Sequence, residues 1–486
     1  MTICFNGNTY KYEIEAVMKL FLPLQSFEFI YENNDTLVGD YCIITQIDNG
    51  SEYNLSVSVL YDGQKVNNQS TVDYSEDCEL SLCRLLFLCM QKITGITPQW
   101  GCLTGIRPVK KVNQLDAKGF DKKQIFDYLK EKYYVSDEKL ELAYDTAETQ
   151  KRYLNSFDPK SFSLYVSIPF CPSRCSYCSF VSHSIESGNA KKLLPEYVEK
   201  LCSEIRQTAE IVNESGMHLD TIYIGGGTPT TLNPEQLERV MKEIQKNFDI
   251  SEIREYTVEA GRADTISEEK LRIIKNNGAT RISVNPQTMN DDVLKVIGRK
   301  HTAAQTVEAF RLARSLGFDN INMDLIAGLP TDTIDSFRKT LNSVLELDPE
   351  NITVHTLTIK RSSSLFSRSD VESDGSISEM ISYAYETLKK KEYNPYYLYR
   401  QKNTVGNFEN VGYAKLDTES LYNIYIMEEI QTIIAVGAGG SSKLVNPVTN
   451  KIERLFNYKY PYEYISRNEQ MLEKKQQLKE FCNNIL

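Results

Sequence analysis

Three cysteines, Cys171, Cys175 and Cys178, share one eight-residue stretch, Cys171-Pro172-Ser173-Arg174-Cys175-Ser176-Tyr177-Cys178. Three thiolates on one short loop can ligate three corners of a cubane iron–sulfur cluster. A cluster that only carries electrons takes four. With three, one iron keeps an open position, and an open position permits chemistry. A structural zinc site asks for four ligands, usually as two pairs. The next cysteine, Cys202, is 24 residues further on, and His183 is the only nearby imidazole. The donor set therefore favours the cluster.

The elements that must position this loop follow from the pattern after Ser163, where apolar strand segments alternate with amphipathic helices, as in parallel βα units. Strands are predicted at Leu164–Pro169, Thr221–Ile224, Glu255–Glu259, Arg281–Asn285, Asn320–Ile326 and Ile352–Leu357. Helices fall near 191–214, 233–248, 267–277, 302–317 and 333–347, with Gly278 and Gly317 as left-handed stops. Six such units predict an α/β fold, an incomplete (β/α)6 barrel. In barrels of this kind, active sites sit at the C-terminal strand ends. The first predicted strand runs into the cysteines and the second into Gly225-Gly226-Gly227-Thr228-Pro229-Thr230. The third ends at Glu259, the fourth at Asn285 and Gln287, and the fifth carries Asp324 before Gly328-Leu329-Pro330. His355, on the sixth, is read as a satisfied core residue. The glycines let a zwitterionic ligand approach the backbone. Glu259 and Asp324 are acceptors for ribose hydroxyls or an ammonium, and Gln287 serves either polarity. Arg299 offers a planar fork for a carboxylate.

The chain before the barrel reads as an α+β domain over 1–157. Strands are expected at Tyr10–Ile14, Phe27–Tyr31, Tyr41–Ile47 and Tyr53–Tyr61, then helices near Leu80–Thr94, Asp121–Tyr133 and Asp137–Leu154. The barrel occupies 158–390. A substrate-side C-terminal region covers 391–486, with a glycine-rich turn at 435–442 and a closing basic helix read as a solvated face. A net charge of −11 disfavours nucleic acid, which needs a concentrated basic surface. No apolar run reaches the roughly 18 residues of a membrane span. No secretory leader is visible, and eleven cysteines, an odd number, fit a reducing compartment, so a cytoplasmic protein is expected.

The cysteine spacing, with Tyr177 before the third thiol, is similar to the signature of the radical S-adenosylmethionine enzymes. Tyr165-Val166-Ser167-Ile168-Pro169-Phe170-Cys171, Gly225 to Thr230, Val258-Glu259-Ala260, Asp324 to Pro330 and Val436 to Ser441 resemble, more narrowly, the oxygen-independent coproporphyrinogen III dehydrogenases of the HemZ type. The resemblance implies a [4Fe–4S] cluster held by Cys171, Cys175 and Cys178. It implies S-adenosylmethionine bound by Tyr165, Gly227, Thr228, Glu259, Gln287, Arg299 and Asp324, with Gly440 beside it. It implies a radical oxidoreductase that decarboxylates two propionates of coproporphyrinogen III, giving protoporphyrinogen IX in heme biosynthesis. An electron-donor protein is implied as partner. A heme-binding chaperone and a radical methyltransferase that opens the heme ring are the alternatives within the superfamily. For a substrate with four carboxylates on a net acidic protein, Arg107, Arg400 and Lys402 are the candidate cations. Arg400 is preferred, because Tyr397 and Tyr399 could stack on a tetrapyrrole beside it.

Overall fold

A computed structural model describes residues 1–23, 25–31, 41–178, 183–186, 188–358, 374–401 and 404–485. The chain divides into two compact units, residues 1–144 with 399–409 and residues 145–398 with 410–486. Three segments were expected. The C-terminal region has no separate core because its strands join the sheet of the segment before it.

In the first unit a five-stranded sheet runs in the order Glu28–Ile30, Thr2–Asn6, Cys42–Asn49, Tyr53–Tyr61, Gln64–Val72. Its first three strands are parallel and the rest antiparallel. The stretch expected as a strand at Tyr10–Ile14 instead opens the helix Lys11–Phe21. Ile14, Val17, Met18 and Phe21 form one buried stripe there, and a helical period sustained over the segment outweighs the β-propensity of its aromatic start. The helix Cys78–Thr94 is capped by Asp77, which accepts from Leu80 N at 3.0 Å, and ends at Gly95 with φ +70°. Leu82 and Leu86 of this helix share a core with Ile3, Phe5, Val57 and Val59.

The large sheet has eleven strands, numbered here in chain order: β1 (Ser161–Ile168), β2 (His218–Gly226), β3 (Glu255–Gly261), β4 (Arg281–Val284), β5 (Ile321–Ala327), β6 (Asn351–Thr356), β7 (Asn394–Arg400), β8 (Glu409–Ala414), β9 (Thr432–Val436), β10 (Ser441–Val445) and β11 (Ile452–Phe456). Their spatial order is β7-β8-β6-β5-β4-β3-β2-β1-β9-β10-β11. The six predicted strands, β1 to β6, lie side by side and parallel. A seventh, β9, adds in parallel against β1, and β8 pairs antiparallel with β6.

The intervening helices are Gly188–Glu214, Pro234–Asn247, Glu268–Asn276, Ala303–Ser315 and Ile334–Leu347. Asn233, Ser267, Thr302 and Thr333 cap the last four by accepting from a backbone amide of the first turn. Tyr256, Val258 and Ala260 of β3 are fully buried, so the two-residue alternation puts Glu255, Thr257 and Glu259 together on the other face. The C-terminal end, expected to be a solvated helix, carries the buried Lys475 between the helices Asn468–Lys474 and Gln476–Ile485. Its Nζ donates to Ala435 O at 2.6 Å and lies 3.0 Å from Glu204 Oε1. Among the described residues no helix is long and apolar enough to cross a membrane.

Candidate cofactor site at the strand ends

The cysteine loop leaves β1 and is gripped from three neighbouring strand ends. From β2, Gly227 N donates to Ile168 O and Thr228 N to Phe170 O, both at 2.8 Å, and the Thr228 hydroxyl lies 3.5 Å from Cys171 Sγ. From β3, Arg262 Nη1 reaches Ser173 Oγ at 2.7 Å and Cys175 Sγ at 4.0 Å. From beyond β4, Ile297 O accepts from Ser176 N at 3.0 Å. Cys171 and Cys175 are buried and Cys178 is half-buried.

The glycine triplet is required by packing. A Cβ on Gly225 would come 3.0 Å from Glu259 Oε2, and one on Gly227 would come 2.6 Å from Phe170 O and 3.0 Å from Cys171 Sγ. A side chain on Gly225 would collide with Tyr223 and Glu259, and one on Gly227 with the cysteine loop. Among the described residues no three His, Cys, Asp or Glu side chains converge on one ion. A cubane takes each thiolate on a different iron, so the donor set, the cleared backbone and the neighbouring Arg262 guanidinium fit a cluster with three protein ligands.

Glu259 accepts from Tyr223 Oη at 2.6 Å. Burial pushes its carboxyl up to about 7, against the lowering effect of the Tyr223 hydrogen bond, while the negative Asp324 adds to the rise. Asp324 accepts from Asn322 Nδ2 at 2.7 Å, and His355 Nε2 lies 3.9 Å from its Oδ2. Burial raises the Asp324 carboxyl, but His355 and the Asn322 hydrogen bond outweigh it and hold it below the usual range. His355, read from the sequence as a core residue, thus faces the acid. Thr353 is the pairing partner of Asp324, and His355 lies two residues further along β6 on the same face.

Gln287 is buried, in the left-handed region at φ +68°, and its backbone bridges onto β5 through Asp324 O at 2.9 Å and Ile326 N at 3.0 Å. Arg299 is buried. Nη1 donates to Asn285 O and Nη2 to Tyr177 Oη, both at 2.9 Å, while Nε has no hydrogen-bond partner. Tyr165 stacks with Tyr223 and with Tyr422, at centroid distances of 6.1 and 6.2 Å. Tyr223, Tyr422 and Arg262 were not singled out from sequence. Tyr223 alternates in register with Gly225, which could have placed it on the same face.

The turn Gly437–Gly440 lies against the end of β1. Ser167 Oγ donates to Ala438 O at 2.8 Å, and Tyr197 Oη accepts from Ala438 N at 3.0 Å while donating to Ser167 O at 2.7 Å. Gly440 is itself confined, since a Cβ there would be 2.9 Å from Gly437 O.

Arg400 is tied to backbone carbonyls. It lies in the first unit, 6% exposed, with Nε donating to Asn407 O at 3.1 Å, Nη1 to Leu103 O, and the guanidinium 5.7 Å from the Trp100 ring. A guanidinium committed to backbone carbonyls is not presented to a propionate. Tyr397 is likewise buried and reaches Thr353, at 3.4 Å. Arg107 directly precedes the helix Pro108–Asp116 as its N-cap residue, and Lys402 lies outside the described residues.

Residues 165–344 match the model of the radical SAM superfamily. The oxygen-independent coproporphyrinogen-III oxidase-like protein HemZ of Bacillus subtilis is 38% identical over 94% of this chain and 95% of its own length. The chain belongs to the HemZ family. Its relatives include the heme chaperone HemW of Bacillus subtilis, 31% identical over 62% of this chain and 77% of that one. Among solved structures, the coproporphyrinogen III oxidase HemN of Escherichia coli superposes with a TM-score of 0.51 at 22% identity, over 67% of this chain and 73% of that one, which shows the shared α/β fold. As in the rest of the superfamily, the cofactors of this HemZ-family chain are a [4Fe–4S] cluster and S-adenosylmethionine.

Proposed function

We propose that the chain decarboxylates coproporphyrinogen III oxidatively and without oxygen, converting two propionates to the vinyls of protoporphyrinogen IX. The similarity to HemZ along nearly the whole chain carries this reading, because the resemblance includes the first unit as well as the cofactor-binding one. Cys171, Cys175 and Cys178 hold the cluster. Tyr165, Gly227, Thr228, Glu259, Gln287, Arg299 and Asp324 hold S-adenosylmethionine, with Gly440 at its edge. Bound together, the two cofactors supply a carbon radical able to take a hydrogen from a propionate β-carbon. The chain's own part is to orient and to exclude water. Glu259 on β3 and Asp324 on β5 offer acceptors at two strand ends, Gly227 clears the approach to Cys171, and the Tyr165–Tyr223–Tyr422 stack walls one side. An electron-donor protein of the cytoplasm completes the cycle.

The test is product analysis. Anaerobically reconstituted protein should bind about four irons and convert coproporphyrinogen III through a monovinyl species, seen by mass spectrometry as stepwise losses of carbon dioxide and hydrogen. Ala at Cys171, Cys175 or Cys178 should abolish iron binding, whereas Cys202→Ala, in the helix Gly188–Glu214, should not. The similarity to HemW favours a second reading, delivery of heme. Stoichiometric heme binding with no decarboxylation would select it.

A further inference from the structure

We infer that Arg262 is a positioning residue of the cluster, its guanidinium donating an N–H···S hydrogen bond to Cys175 that raises the reduction potential. The inference rests on the proposed ligation by Cys171, Cys175 and Cys178. Arg262 follows directly on the last residue of β3, Gly261, whose φ of +67° turns the chain toward the cysteine loop. It is 3% exposed, unusual for an arginine unless it is held. One edge of the guanidinium is locked by Asp264, with Nε to Oδ1 at 2.9 Å and Nη2 to Oδ2 at 2.6 Å. That bidentate pair fixes the plane, and the remaining nitrogen, Nη1, is aimed at the loop. It reaches Ser173 Oγ at 2.7 Å, Ser173 O at 3.3 Å and Cys175 Sγ at 4.0 Å. Lysine, a point charge without a fork, could not satisfy the carboxylate and the loop in one plane.

The same strand end therefore serves two purposes. Glu259 points to the S-adenosylmethionine side, and Arg262, three residues on, points to the thiol that follows Ser173 and Arg174. Hydrogen bonds to cluster sulfurs are one of the levers that set the potential, and partners behind a metal ligand orient it and tune the metal. A cluster held by thiolates becomes more negative on reduction. A fixed positive donor beside one sulfur stabilises that reduced state preferentially, so its loss makes the cluster harder to reduce. Packing alone would keep the loop in place without moving the potential.

The experiment uses the full chain, anaerobically reconstituted, as wild type, Arg262→Gln and Arg262→Lys. Iron content is measured first, then the midpoint by redox titration followed by electron paramagnetic resonance. Both variants are expected to shift to more negative potential, Arg262→Gln further, by on the order of a tenfold change in the reduction equilibrium, about 59 mV for one electron. A second readout needs no glutamine variant to fold. Wild type grown with 15N-arginine should show a nitrogen coupling to the reduced cluster that Arg262→Lys lacks. An unchanged midpoint in an iron-replete variant, no nitrogen coupling in wild type, or a coupling that survives Arg262→Lys would each overturn the inference. Iron retained by Cys175→Ala would instead overturn the ligand assignment on which it rests.

Discussion

Replacing Glu259 by Gln removes a charge while keeping the shape and the acceptor for Tyr223. The folded carboxyl holds its proton to about pH 7, whereas an ordinary glutamate releases it near 4.5. Between these values the folded chain binds more protons than the unfolded one, so this group makes stability fall as pH rises through the window and adds nothing further above it. The interval corresponds to about 3 kcal/mol, the cost of ionising a carboxylate in this setting. Urea unfolding of the cofactor-free chain at steps from pH 5 to pH 8 measures it. The difference in stability, wild type minus Glu259→Gln, should decline across that range by on the order of 2–3 kcal/mol and level off above pH 7. Titrating groups that do not interact with Glu259 cancel in the difference. If the carboxylate is also the acceptor for S-adenosylmethionine, wild-type affinity measured on the reconstituted protein should weaken below pH 7, by up to about tenfold per pH unit, and Glu259→Gln should bind weakly at every pH. Parallel stability profiles for the two proteins would refute the account of a buried, destabilised charge. A pH-independent affinity would refute its role as a charged acceptor.

Further expectations follow from single contacts. Gly227→Ala places a methyl group 2.6 Å from Phe170 O and 3.0 Å from Cys171 Sγ, so it should lower iron content and destabilise by about 1–3 kcal/mol; full iron loading would refute the cradle. Arg400→Ala should destabilise by about 2–4 kcal/mol, because it strands the carbonyls of Leu103 and Asn407, and the residual folded protein should keep its KM for the porphyrinogen; a raised KM with unchanged stability would restore Arg400 to the substrate. Lys139→Met removes a 2.7 Å ion pair from the buried Glu409 and should cost about 3–5 kcal/mol in denaturant unfolding.

Elements whose signals are local can be read from the order of residues alone. Each βα unit announces itself by a change of period, from two to 3.6, and by cap residues such as Asn233, Thr302 and Thr333. The cysteine spacing and the glycine triplet are legible because their chemistry depends on neighbours along the chain. Whatever depends on neighbours in space was not. β9 is an apolar strand like the others, and only its pairing with β1 makes it a seventh parallel strand. Arg400 and Arg262 are both arginines near aromatic or glycine-rich turns, and nothing in their flanks separates them. Tertiary contacts commit Arg400 to Leu103, Asn407 and Trp100, and aim Arg262 at Cys175. His355 could not be told from a core residue until β5 and β6 paired and set it beside Asp324. A charged side chain's role is fixed by which partners replace its lost water, and those partners come from distant parts of the chain.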